Sequence, residues 1–93
     1  LAYLAARNKY RVEREEKSGK GYVDFIFYPK RKNHPGIIIE LKADATPKTA
    51  IAQIKEKEYS EKLRKVNVKK ILAVGINYDT RKKEHQCIIE EID

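Results

Sequence analysis

The run Ile37-Ile38-Ile39-Glu40-Leu41-Lys42 constrains this chain more than any other stretch. Its apolar, β-branched start reads as a strand buried on both faces. It then sets a carboxylate and an ammonium two residues apart. Side chains alternate along a strand, so Glu40 and Lys42 share a face, roughly 7 Å apart. Ile37, Ile39 and Leu41 point the other way. Charges in such a segment need partners, because burying an unpaired charge is costly.

A partner is available one strand upstream. Tyr22 to Tyr28 is rich in β-formers, and Pro29 to Gly36 has turn composition. A hairpin symmetric about Lys32 sets Tyr28 against Gly36 and Asp24 against Glu40. One face then carries Val23, Phe25, Phe27, Ile37, Ile39 and Leu41. The other carries Tyr22, Asp24, Ile26, Ile38, Glu40 and Lys42. Opposed Cβ atoms in such a pair are about 5 Å apart, where two carboxylates repel. A divalent cation between them reverses that sign. Slipping the register by one residue would put Asp24 on the apolar face.

The remaining chain organises itself around this hairpin. Leu1, Leu4 and Ala5 fall at helical spacing and read as the end of an amphipathic helix stopping near Asn8. Tyr10 to Lys17 alternates as a half-exposed edge strand, and Ser18-Gly19-Lys20-Gly21 forms a tight turn into the next strand. Glu13, Glu15 and Glu16 read as a solvated edge, or as the source of one further metal-binding oxygen, Glu16 foremost. Thr46 suits an N-cap and Pro47 the first helical position. The helix is expected to reach about Val66, with Ala52, Tyr59, Leu63 and Val66 on one stripe and Ala50, Ile51 and Ile54 widening its first turns. Gln53 falls in that buried half, either as a satisfied structural amide or aimed at the cleft beside Glu40. Ile71 to Tyr78 reads as an interior strand, parallel to Ile37–Lys42 after a right-handed crossover. Asp79 to Glu84 is a basic turn, and His85 to Ile92 an antiparallel edge strand. The expected architecture is α/β, in the order α-β-β-β-α-β-β, a mixed five-stranded sheet flanked by helices.

With 93 residues the chain makes one domain, expected to be a piece of a longer polypeptide since it opens at Leu1 and holds no Met. Lys and Arg number 21 against 14 Asp and Glu, and the net charge of +7 suits a polyanionic partner or simply solubility. Cys87 is the one cysteine, which excludes a disulfide framework and a Cys-based zinc set and fits a reducing cytoplasm. No stretch approaches a membrane span. No Gly-rich phosphate loop opens a helix, which argues against a nucleotide-cofactor role. His34 and His85 lie in or beside turns and read as ordinary surface residues.

Asp24, Glu40-Leu41-Lys42 after an apolar strand, and Gln53 on the next helix together resemble the PD-(D/E)XK nuclease superfamily. The run Glu16 to Asp24, the strand Ile37 to Lys42, and Gln53-Ile54 with Tyr59 look more closely like one branch, the nuclease-like C-terminal domain of bacterial predicted AAA-ATPase-like proteins. The resemblance covers nearly the whole chain. It implies a restriction-endonuclease-like core and metal-dependent cleavage of DNA, or less favourably RNA. Asp24 and Glu40 would bind Mg²⁺ or Mn²⁺, with the Leu41 carbonyl and Glu16 as further ligands. Lys42 would position the attacking water or offset transition-state charge, and Gln53 would orient the site. It implies as partners nucleic acid and an ATPase domain of the same polypeptide; a homodimer would allow both strands to be cut. Val23 stands where the motif often has Pro, and the six-residue spacing of Gln53 and Tyr59 departs from the Gln-x-x-x-Tyr pattern, so Tyr59 reads as core. Two alternatives stand beside this reading. Asp24, Glu40 and Lys42 could form an exposed salt-bridge cluster, or the fold could serve as a non-catalytic binding module.

Overall fold

A computed structural model describes residues 9–17, 22–31, 33–56 and 59–92, with the backbone alone at 15–17, 22, 23, 47, 53, 55 and 56. Five strands, β1 (Tyr10–Lys17), β2 (Tyr22–Pro29), β3 (Gly36–Ala43), β4 (Ile71–Asp79) and β5 (Glu84–Ile92), form one sheet in sequential order. β3 and β4 are parallel and the other neighbours antiparallel. Between β3 and β4 run α1 (Pro47–Glu56) and α2 (Tyr59–Arg64). This is the mixed five-stranded α/β sheet expected of a restriction-endonuclease-like core. The helix expected to precede β1 and the turn Ser18 to Gly21 lie outside the described residues. Among the described residues, no helix is long and apolar enough to cross a membrane.

Local sequence accounts for the helix boundaries. Thr46 caps α1: its hydroxyl accepts the Thr49 N–H at 3.1 Å and its carbonyl the Ala50 N–H at 3.2 Å. Pro47 follows at the position where a missing N–H costs nothing. α2 ends in a Schellman motif, with Val68 N–H on the Leu63 carbonyl at 3.1 Å and Asn67 N–H on Arg64 at 2.9 Å. Asn67 takes the left-handed conformation this requires, φ 64°.

The single helix expected to run to Val66 is two helices, with residues 57–58 between them outside the described set. Each has its own inward face: Ala50, Ile51 and Ile54 on α1, Tyr59 and Leu63 on α2. Ala52 is therefore exposed, and Val66, beyond the end of α2, is 53% exposed.

The core overturns one expectation. β3 is fully buried on one face only: Ile38, Glu40 and Lys42 lie inside, while Ile37, Ile39 and Leu41 are half-buried. Both helices sit on the face that carries the charges, where Ile26, Tyr28, Ile38, Ile71 and Ala73 meet Ile51, Ile54, Tyr59, Leu63 and Val68. Gly36 permits the close approach of α2. A Cβ there would lie 2.9 Å from both Leu63 Cδ atoms and 3.1 Å from Val68 Cγ1.

Candidate functional site

The hairpin register sets Asp24 opposite Glu40, with Ile26 opposite Ile38 and Phe27 opposite Ile37. The two carboxylates thus leave neighbouring strands on the same face. Asp24 is 1% exposed and Glu40 0%. Lys42, two residues further along the same face, is 5% exposed and pairs across the sheet with Asn77, which is 1% exposed. These residues are not an exposed salt-bridge cluster. They form a polar end to the core, lying beneath the helices with Ile26 and Ile38.

Several contacts fix this end. The Tyr59 hydroxyl, on α2, donates to Asp24 Oδ2 at 2.7 Å. Oδ1 of Asp24 and Oε2 of Glu40 are buried oxygens that accept no hydrogen bond, although Asp24, Glu40, Lys42 and Tyr59 each engage further neighbours. Asn77 Oδ1 accepts the Ala45 N–H at 2.9 Å, and the Tyr78 carbonyl accepts the Asp44 N–H at 2.9 Å. Asp44 occupies the left-handed region at φ 53°. Its Oδ1 accepts the Thr80 N–H at 2.9 Å, and the Thr80 hydroxyl lies 2.9 and 2.7 Å from its two oxygens. The Thr80 backbone bond, then the hydroxyl, holds the Asp44 carboxyl below its usual range. The loop that leaves Lys42 and enters α1 is therefore pinned to the end of β4.

A divalent cation suits this donor set. Two carboxylates held side by side offer the hard oxygen ligands Mg²⁺ takes, and Mg²⁺ commonly relies on one or two carboxylates plus water. Among the described residues, no group of three His, Cys, Asp or Glu side chains completes a cage.

A family profile of the PD-(D/E)XK nuclease superfamily matches residues 1–90. The chain belongs to the PD-(D/E)XK nuclease superfamily. No curated protein and no solved structure matches it significantly. The domain is thus nuclease-like, of a superfamily whose nucleases typically use divalent metals and act on nucleic acid.

Of the residues expected at a nuclease site, Asp24, Glu40 and Lys42 lie together, and Leu41 sits between the last two in β3. Gln53 falls in α1 and Glu16 in β1, but their side chains lie outside the described residues. The β1–β2 register pairs Glu15 with Asp24 and Glu16 with Val23. Tyr59 lies in the core, as expected, and its hydroxyl also reaches Asp24, a contact that sequence reasoning misses. Asn77, expected only as one residue of an interior strand, is a further residue that sequence reasoning misses. A lone amide at the end of such a run was the available signal, since a buried amide needs partners.

Proposed function

We propose that this chain is a metal-dependent nuclease that hydrolyses phosphodiester bonds of DNA. The observation that carries the reading is the buried pairing of Asp24 and Glu40 across β2 and β3, with Lys42 on the same face. Asp24 and Glu40 would hold Mg²⁺ or Mn²⁺, with the Leu41 carbonyl and Glu16 as further ligands. When bound there, such a metal would supply Lewis acidity toward the phosphate and toward water at the site. Lys42 would position the attacking water or offset the negative charge that develops on the phosphate. Tyr59 fixes the Asp24 carboxylate through its hydrogen bond. Gln53 orients the site from α1.

The depth of burial favours a second reading. Side chains no more than 5% exposed must be uncovered to meet a polymer phosphate. A nuclease-fold module that binds nucleic acid or protein without turnover, docked to an ATPase domain of the same polypeptide, needs no such access. Cleavage of supercoiled plasmid, linear duplex, single-stranded DNA and RNA with Mg²⁺, Mn²⁺ or EDTA separates the two. The nuclease reading expects metal-dependent cutting that Glu40→Ala abolishes and Lys42→Ala slows by about 10²–10³-fold. A folded wild type that neither cuts any of these substrates nor binds Mn²⁺ by calorimetry refutes it.

A further inference from the structure

At the opposite end of the sheet from Asp24 and Glu40, a cleft of about 220 Å³ is lined by Lys9, Lys30, Arg31 and His34. It sits past the end of β2, where the Lys30 N–H donates to the Lys9 carbonyl at 2.9 Å. In the turn beyond, the His34 N–H donates to the Arg31 carbonyl at 3.2 Å. The His34 ring stacks on Tyr10, centroids 6.2 Å apart and planes 26° apart, which holds its orientation. His34 Nδ1 is buried with no hydrogen-bond partner.

Two features of this cleft are unfavourable in an isolated domain. Lys9, Lys30 and Arg31 bring three cations around one concavity, and no acidic side chain is among its described lining residues. Concentrated charge of one sign in a concave wall raises the local potential and draws counter-ions. A desolvated ring nitrogen without a partner costs the hydrogen bond it gave up to water. One ligand class answers the first. A phosphate group accepts from lysine and guanidinium together, and the His34 ring lines the same cleft and reports what enters it.

We propose that the Lys9–Lys30–Arg31–His34 cleft is a phosphate-binding site that holds a phosphate group of the nucleic acid, away from the point of cleavage. That the phosphate belongs to a nucleic acid rests on the nuclease reading; the phosphate chemistry does not. Five residue steps lead from Asp24 to Pro29 and six to Lys30, so the cleft lies roughly 17–20 Å from the carboxylates. That span corresponds to about five to six base pairs along a duplex. His34, an ordinary turn histidine by sequence, is assigned here to the wall of that cleft.

The test uses Lys30→Gln/Arg31→Gln, with Arg81→Gln/Lys82→Gln as a control that removes equal charge from the β4–β5 turn. Inorganic phosphate is titrated at constant ionic strength while the His34 ring resonances are followed by NMR. Oligonucleotide affinity is measured in EDTA against salt. The proposal expects saturable phosphate-induced shifts of His34 in wild type and control but not in the cleft variant. It expects the salt slope of DNA binding to fall by about 0.9 in the cleft variant, which loses one phosphate contact, and by less in the control. A preference for a 5′-phosphorylated oligonucleotide that the cleft variant loses assigns the site to a strand end, whereas a slope change without that preference assigns it to an internal phosphodiester. No phosphate response at His34, or equal slopes in the two variants, overturns the proposal. Phosphate shifts at His34 in a protein that binds no oligonucleotide would uphold the phosphate site and instead refute the nuclease reading.

Discussion

Tyr59→Phe tests whether the helix layer tunes the carboxylate site. The substitution keeps the ring in the core and removes only the hydroxyl that donates to Asp24 Oδ2 at 2.7 Å. Asp24 is 1% exposed and Tyr59 6%, so water cannot readily replace the lost donor. A buried hydrogen bond to a charged acceptor contributes about 1.5–3 kcal/mol. With a urea m-value of about 1.5 kcal/mol/M, the unfolding midpoint of the metal-free protein should fall by about 1–2 M. In an Asp24→Asn background the acceptor is neutral, and the same substitution should cost only about 0.5–1.5 kcal/mol. The difference is a coupling energy of about 1 kcal/mol or more, measured by a double-mutant cycle. With metal, loss of a residue that orients a ligand should weaken binding or slow cleavage by about 10–100-fold. A stability change under about 0.5 kcal/mol, or an equal cost in both backgrounds, would refute the argument.

Three further outcomes follow from other parts of the structure. Gly36→Ala should cost about 1–3 kcal/mol in chemical denaturation, because its Cβ would press on Leu63 at 2.9 Å and on Val68 at 3.1 Å. Asp44→Asn tests the loop clamp: Asn tolerates the left-handed backbone, so the variant chiefly removes charge. The Asp44 carboxyl is depressed from 3.8, so its contribution is present above that value and lost as the pH falls through the lower folded value. The stability gap between wild type and Asp44→Asn should be constant from about pH 5 upward and close below pH 3.8; a gap unchanged at pH 2.5 would contradict the clamp. Mn²⁺ at a hundred times its dissociation constant should stabilise the wild type by about 2.7 kcal/mol, seen as a rise in Tm, and leave the Tm of Glu40→Gln nearly unchanged.

Much of this was legible because strand alternation and turn chemistry are local. The Asp24–Glu40 register followed from one turn centred on Lys32 and one apolar face, and the cap at Thr46 from its side chain and the following proline. What escaped depended on which layer covers which face. The apolar set Phe25, Phe27, Ile37, Ile39 and Leu41 predicts burial, yet the helices lie over the face that also carries Asp24, Glu40 and Lys42. Periodicity shows that two faces differ; it does not show where the next helix lands. The stripe through Ala52 and Val66 failed because α1 turns Ala50, Ile51 and Ile54 inward in place of Ala52, and α2 ends at Arg64, before Val66. Tyr59 escaped since the bond to Asp24 joins residues 35 apart in sequence.

The proposed metal site gives the placement of these charges a testable consequence. Glu40 is 0% exposed between Ile38 and Lys42, at a position where an apolar side chain would complete the core. Replacing buried ionic groups by packed apolar residues is often neutral or stabilising by about 1–4 kcal/mol, whereas removing one member alone strands the others at a cost of about 3–5 kcal/mol. The combined variant Asp24→Leu, Glu40→Met, Lys42→Met and Tyr59→Phe should therefore unfold at a urea concentration no lower than wild type, while Glu40→Met alone unfolds well below it. The pinned loop makes this a fair test, since Asn77 keeps its bond to the Ala45 N–H and α1 still starts at the same place. If the combined variant were several kcal/mol less stable than wild type, the charges would be structural and their burial would say nothing about catalysis. If it is as stable as wild type and binds no Mn²⁺, selection has held charge in this core against the folding preference of the positions, the conflict between local rules and fold expected at a working site.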